Sequence, residues 1–271
     1  MIDVHYFLDS VLPQLPQAQR EAFFATYPQI YFAPQADSQP LMTLPVLMLV
    51  ALTGTGKSTT LNALATRREA GELAYGDQLP SRREIADFIV IPTAQTLLGE
   101  HIQPVSDRVR RFFYTRNFAQ YFSGGIAQAF AWLHYAGHTG ETIISEGVRG
   151  EAEIRFALEN CPRWQVVELA VNPITRLKRL SSRDDKFDHA TGSADVDFLP
   201  EALQAVALQA LNAGGISPQA LTILRAEAEN YDLAPVQLDH ARYRYLQTDN
   251  LTPEAVAEQV ALIVKEMVNY A

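Results

Sequence analysis

The stretch Leu47-Met48-Leu49-Val50-Ala51-Leu52-Thr53-Gly54-Thr55-Gly56-Lys57-Ser58-Thr59-Thr60-Leu61 decides how this chain is read. An apolar run leads into a glycine-bearing turn, then Gly-Lys-Ser, then residues that read as a helix through Ala65. The spacing follows G-x-x-x-x-G-K-[ST] with one departure, Ala51 at the first position. In that pattern backbone N–H groups cradle the phosphates of a nucleotide. Thr53, Gly54, Thr55, Gly56, Lys57, Ser58 and Thr59 are therefore the expected nucleotide-binding residues. Lys57 would reach the terminal phosphates, and the Ser58 hydroxyl would hold Mg²⁺. A chance Gly-Lys-Ser turn needs neither the strand before it nor the helix after it, and both are present.

Outward from the loop, Leu44 to Val50 is a continuous apolar run, as expected for a strand buried on both faces of a parallel sheet. Thr142–Glu146, Gln165–Val171 and Tyr243–Thr248 read as further strands, and Phe88–Ile91, ended by Pro92, fits either strand or helix. Helical stretches lie between them, including an aromatic one over residues 108–135 and one over Ile174–Arg183. The alternation predicts an α/β fold in three layers, a central parallel sheet of about five strands with helices on both faces. Ligands then sit at the carboxyl ends of the strands, where the loop, Glu146 and Asn172 all fall. Residues 1–40 read as an N-terminal arm of short helices and turns packing on the core. Residues 41–271 read as one domain with a helical insert at about 195–240, preceded by a polar loop or lid from Asp184 to Asp197.

Composition narrows the class. The chain has 271 residues, 48% hydrophobic and 20% charged, enough for a packed core. Its net charge of -9 argues against a dedicated nucleic-acid binder. The single cysteine, Cys161, excludes an internal disulfide and points to a reducing, cytoplasmic setting. No apolar run of about 18 residues suggests a membrane span. His134 and His138 stand at i, i+4 without the carboxylate of a zinc motif. No guanine-reading Asn/Thr-Lys-x-Asp is present. Phe122-Ser123-Gly124-Gly125-Ile126-Ala127-Gln128 echoes a transporter-ATPase signature, but it follows Lys57 too closely, and the next strand ends in Ser145-Glu146 rather than Asp-Glu.

Two segments carry a family resemblance. Ile144-Ser145-Glu146-Gly147-Val148-Arg149 resembles the Asp-Gly-Ile-Arg strand end of adenylate-kinase-like enzymes, with Glu in place of Asp. Val167 to Asp185, with Arg176, Lys178, Arg179 and Arg183, is similar to their strand, helix and arginine-bearing lid. The resemblance to the nucleoside/nucleotide kinase superfamily implies a P-loop NTPase fold and a phosphotransferase using ATP and Mg²⁺. The acceptor would be a small, anionic molecule such as a nucleoside, nucleotide or phosphorylated metabolite. A regulatory ATPase or nucleotide switch acting through a protein partner is the alternative.

Phosphoryl transfer rests on positioning and charge neutralisation. Lys57, Glu146, Arg176 and Arg183 are the expected catalytic residues, with Ser58 and Glu146 at the metal. Glu146 could orient a Mg²⁺-bound water, take the acceptor's proton, or simply pair with Arg149. Arg176, Arg179 and Arg183 share one helical face, which needs an anion against it unless Asp184 and Asp185 neutralise it. Arg82, Arg83, Asp87, Asp107, Arg108, Arg111 and Arg149 are the expected acceptor-binding residues, in clusters that could equally be surface ion pairs.

Overall fold

Burial on both faces organises the chain around one strand. The structure, a computed structural model, describes residues 4–76, 79–138, 140–181, 195–229, 231 and 234–269. In chain order the elements are α1 (Val4–Tyr6), α2 (Gln17–Thr26), β1 (Ile30–Tyr31), β2 (Ser38–Pro40), β3 (Val46–Ala51) and α3 (Lys57–Glu69). There follow α4 (Arg82–Ile85), α5 (Ile91–Leu97), α6 (Arg108–Tyr121), α7 (Gly125–Ala131), β4 (His134–Ala136) and β5 (Ile143–Ser145). The chain closes with α8 (Gly150–Asn160), β6 (Trp164–Ala170), α9 (Pro173–Ser181), α10 (Glu201–Asn212), α11 (Pro218–Ala228), β7 (Tyr243–Gln247) and α12 (Pro253–Asn269).

All six residues of β3 are buried. The strand lies inside a four-stranded parallel sheet of order β5-β3-β6-β7. Side chains alternate across it with a period of two. Val46, Met48 and Val50 join Val166 and the aromatic core on one face. On the other, Leu47, Leu49 and Ala51 join Val167 and Leu169 beneath α3 and α12. That is why the run reads as uninterrupted apolar sequence: neither face meets water.

The sheet has four strands among the described residues, not the expected five. Phe88–Ile91 is the reason, because it is helical: a π-turn over Ala86–Val90 runs into α5. Pro92 lies in the first turn of α5, where a missing N–H costs least. The aromatic stretch is also not one helix. It breaks at Phe122–Gly124 between α6 and α7, and residues 134–136 form β4. His134 and His138 are thus not on one helical face. β4 is the centre of a separate antiparallel sheet, β1-β4-β2, through which residues 30–40 pair with the rest of the chain. Phe23 stacks on Phe88 at 3.9 Å between centroids and an interplanar angle of 14°. A third cluster joins Leu177 and Leu180 of α9 to Ala207 of α10 and Leu221 and Leu224 of α11. It packs α11 against the helix that follows β6. No described helix is long and apolar enough to cross a membrane.

Candidate functional site

The turn between β3 and α3 is set by two glycines in left-handed backbone, Gly54 at φ 86° and Gly56 at φ 98°. Side chains rarely adopt that geometry. A Cβ on Gly54 would also lie 3.1 Å from Leu180 Cγ and 3.3 Å from the Arg176 carbonyl, so α9 rests directly on the turn. Thr55 closes it, donating through N–H (3.3 Å) and Oγ1 (2.8 Å) to the Leu52 carbonyl. α3 begins at Lys57, so the unpaired N–H groups of its first turn face the turn, a favourable setting for an anion. Ser58 and Thr59 are exposed there.

Lys57 points to the neighbouring strand end. Its Nζ lies 2.8 Å from Glu146 Oε2, just past β5, and 3.4 Å from the Glu146 carbonyl. Burial, then the Arg149 charge, lowers the Lys57 pKa to about 8, and the Glu146 carboxylate offsets them only in part. The expected alternative pairing of Glu146 with Arg149 is not what forms.

Arg149 turns instead to Glu227 of α11, with Nη1 3.5 Å from Oε1. Glu227 is completely buried, and its other oxygen accepts from Arg176 Nη2 at 2.5 Å. Oε1 also accepts from the Thr53 backbone N–H at 3.2 Å and from the Thr53 hydroxyl. Arg176, itself 1% exposed, donates through Nε to the Thr53 carbonyl at 3.0 Å. Arg179 donates to the Thr55 carbonyl at 3.2 Å. The basic face of α9 is therefore turned onto the glycine turn rather than into solvent. Burial holds the Arg176 pKa below its usual value, and Glu227 does not fully offset it. Arg176 Nη1 and Arg149 Nε are buried without a hydrogen-bond partner among the described residues. Arg183, with Asp184 and Asp185, lies outside the described residues.

The expected acceptor residues divide. Arg82, on a helix started by a Ser81–Glu84 capping box, reaches into the site. It grips both oxygens of Glu153 (2.6 and 3.0 Å), the Gly147 carbonyl (2.6 Å) and the Tyr231 hydroxyl (2.8 Å). Glu153 in turn accepts from the Arg149 N–H at 2.7 Å, which links Arg82 to the Glu227 group. Gly147 has no room for a side chain, since a Cβ would fall 1.8 Å from Phe130. Arg111 pairs with Asp87 and donates to the Val105 carbonyl at 2.9 Å, tying α6 to the π-turn before α5. Asp107 caps α6 by accepting from the Arg110 N–H at 2.7 Å. Arg83 is exposed, and the Arg108 side chain lies outside what is described. The structure thus brings Lys57, Glu146, Arg149, Arg176 and Arg179 together at the turn. Asp87, Asp107 and Arg111 are instead joined to one another's elements.

Sequence reasoning missed Glu227. Its signal was faint but present: it continues the buried stripe of α11 (Ala220, Leu221, Leu224) at i+3 from Leu224, a carboxylate where an apolar residue belongs. Beyond the ends of β6 and β7 lies a cavity of about 610 Å³, lined by Asn172, Pro173, Phe198, Tyr245 and Gln247 among others.

No protein-family model and no curated protein matches the chain. Among solved structures it is similar to an unliganded crystal structure of a sugar kinase from Janibacter sp. HTCC2649. The identity is 18%, over 83% of this chain and 98% of that one, with a TM-score of 0.37, a likeness too slight to carry an argument.

Proposed function

We propose that this chain is a phosphotransferase of the P-loop kinase kind, moving the γ-phosphate of ATP to a small anionic acceptor. The observation that carries the reading is the set of basic side chains gathered on the glycine turn. Lys57 pairs there with Glu146, Arg149 and Arg176 share Glu227, and Arg179 donates to the Thr55 carbonyl. Arg176 keeps a buried donor with no partner among the described residues, and α3 begins at the turn on which α9 rests. That donor set suits a polyphosphate, so the residues present fit a nucleotide. Bound Mg²⁺ would neutralise charge on the phosphates, with Ser58 and Glu146 as its expected holders.

In this reading the turn binds the donor and Lys57 neutralises its terminal phosphates. Arg176 and Arg149 stabilise charge on the group in transfer, the role a fixed cation performs best in a water-poor site. Glu146 holds Lys57 and, in this reading, takes a proton from the acceptor. Arg82 is fully engaged with protein groups, so it shapes the acceptor side rather than binding the acceptor.

The test is to incubate purified protein with MgATP and fractions of a broad metabolite pool, following phosphate transfer. Slow ATP consumption alone, accelerated by one fraction and abolished by Lys57→Ala, is the expected result. Stimulation by a protein partner alone, with no phosphate moved to any metabolite, would favour the regulatory ATPase instead.

A further inference from the structure

Among the described residues, Glu227 is the one fully buried carboxylate at the turn that no part of the above mechanism uses. It comes from α11, far from the turn in sequence, and it is held there by packing of α11 on α9. Its carboxylate touches two guanidinium groups and both donors of Thr53. Each arginine spends one nitrogen on it and retains another that is buried and without a partner among the described residues, Nη1 of Arg176 and Nε of Arg149. Two like charges brought this close repel, and one carboxylate between them removes much of that cost. Arg82, by contrast, is satisfied by Glu153 together with the Gly147 carbonyl and the Tyr231 hydroxyl.

We propose that Glu227 is a positioning residue for phosphoryl transfer. It fixes Arg149 and Arg176 beside Thr53 with their remaining N–H groups free for the oxygens of the group in transfer. The inference rests on the kinase reading and deepens it. It predicts that Glu227 matters more for the transferring phosphoryl group than for the nucleotide itself, because the nucleotide is held chiefly by the turn and Lys57.

The experiment compares binding of MgADP with and without aluminium fluoride, a mimic of the phosphoryl group in transfer. Wild-type protein and Glu227→Gln are measured by calorimetry, with circular dichroism to confirm folding and Glu227→Asp as the conservative variant. Aluminium fluoride should tighten MgADP binding to the wild type. In Glu227→Gln that tightening should fall by on the order of tenfold, the loss of one charge-assisted hydrogen bond. Binding of MgADP alone should stay within about twofold, and Glu227→Asp should recover part of the tightening. Equal tightening in wild type and Glu227→Gln overturns the proposal and leaves the kinase reading standing. Tighter MgATP binding to Glu227→Gln also overturns it, since Glu227 would then be a competitor for the phosphate position. Should Glu227→Gln not fold, the same comparison on Glu227→Asp decides the matter, with unchanged tightening counting against. Failure of the wild type to bind MgADP or MgATP at all removes the kinase reading and this inference with it.

Discussion

Two buried arginine–glutamate pairs lie beside the glycine turn, and they differ in what the arginine has left to give. Arg82 holds both oxygens of Glu153, a carbonyl and a tyrosine hydroxyl. Arg176 holds one oxygen of Glu227 and the Thr53 carbonyl, and its Nη1 has no partner among the described residues. The two guanidinium pKa values move in opposite directions. Burial lowers both, but at Arg82 the Glu153 carboxylate and Tyr231 outweigh it and the balance is upward. At Arg176 burial outweighs Glu227 and the balance is downward. Neither arginine loses its proton, so the direction reports how well the surroundings compensate a cation. Arg82 is a completed strut. Arg176 keeps one buried donor, Nη1, unmatched among the described residues, which is what the proposed phosphate-binding role requires.

The largest effect expected from this comparison is on stability, and there the two pairs should behave alike. Arg82→Ala or Arg176→Ala removes one partner of a buried pair and should cost ~3–5 kcal/mol in urea unfolding. What separates them is the response to Mg²⁺ with inorganic triphosphate. At a hundredfold excess over its Kd a bound anion adds about 2.7 kcal/mol to stability. The increment should survive Arg82→Ala and shrink in Arg176→Ala. If both variants keep it in full, or both lose it, the distinction between completed strut and unmatched donor is broken.

The same contrast explains what could be read from sequence. β3, the turn and α3 were legible because each is specified locally: a strand buried on both faces, glycines where φ is positive, a helix after them. Glu146 was legible as a strand-end carboxylate beside the loop strand. The partition of the arginines was not legible, because saturation depends on residues far apart in sequence. Arg82 is satisfied by Glu153 and Tyr231, and Arg176 is engaged by Glu227, and no local pattern announces either. The strand-or-helix question at Phe88–Ile91 was undecidable for another reason. A segment packed on several sides, against Phe23, Phe32 and α6, loses the periodicity that would distinguish the two.

Lys57 belongs with Arg176, and pH offers a way to sharpen that grouping. Its pKa falls from 10.5 to about 8, through burial first and the Arg149 charge second, despite Glu146. A lysine whose folded pKa is lowered destabilises the fold while charged. Between about pH 8 and 10.5 the unfolded chain then binds more protons, so this contribution makes stability rise with pH in that window. The whole shift corresponds to about 3 kcal/mol. Unfolding free energies of wild type and Lys57→Met, measured from pH 7.5 to 10, should show the wild type gaining on the variant as pH rises. A constant difference would mean that Glu146 compensates Lys57 fully, and would move Lys57 to the side of Arg82.

The smallest effect is expected at Arg111, which tests whether the comparison extends to the rest of the basic residues. Sequence placed Arg111 with Arg82 and Arg149 at the acceptor. In the structure it pairs with Asp87, whose side chain is 42% exposed, and donates to the Val105 carbonyl. A pair that open to water is screened and contributes about 0–1 kcal/mol. Arg111→Ala should therefore lower stability by no more than about 1.5 kcal/mol, carbonyl bond included, and leave the triphosphate increment intact. Its hydrogen bonds tie α6 to the π-turn before α5, so its loss loosens a connection and exposes no buried charge. Loss of the increment in Arg111→Ala would show that an arginine already engaged with Asp87 and Val105 still serves an anion. Saturation by protein groups would then no longer distinguish the arginines proposed to bind phosphate from those that hold the fold.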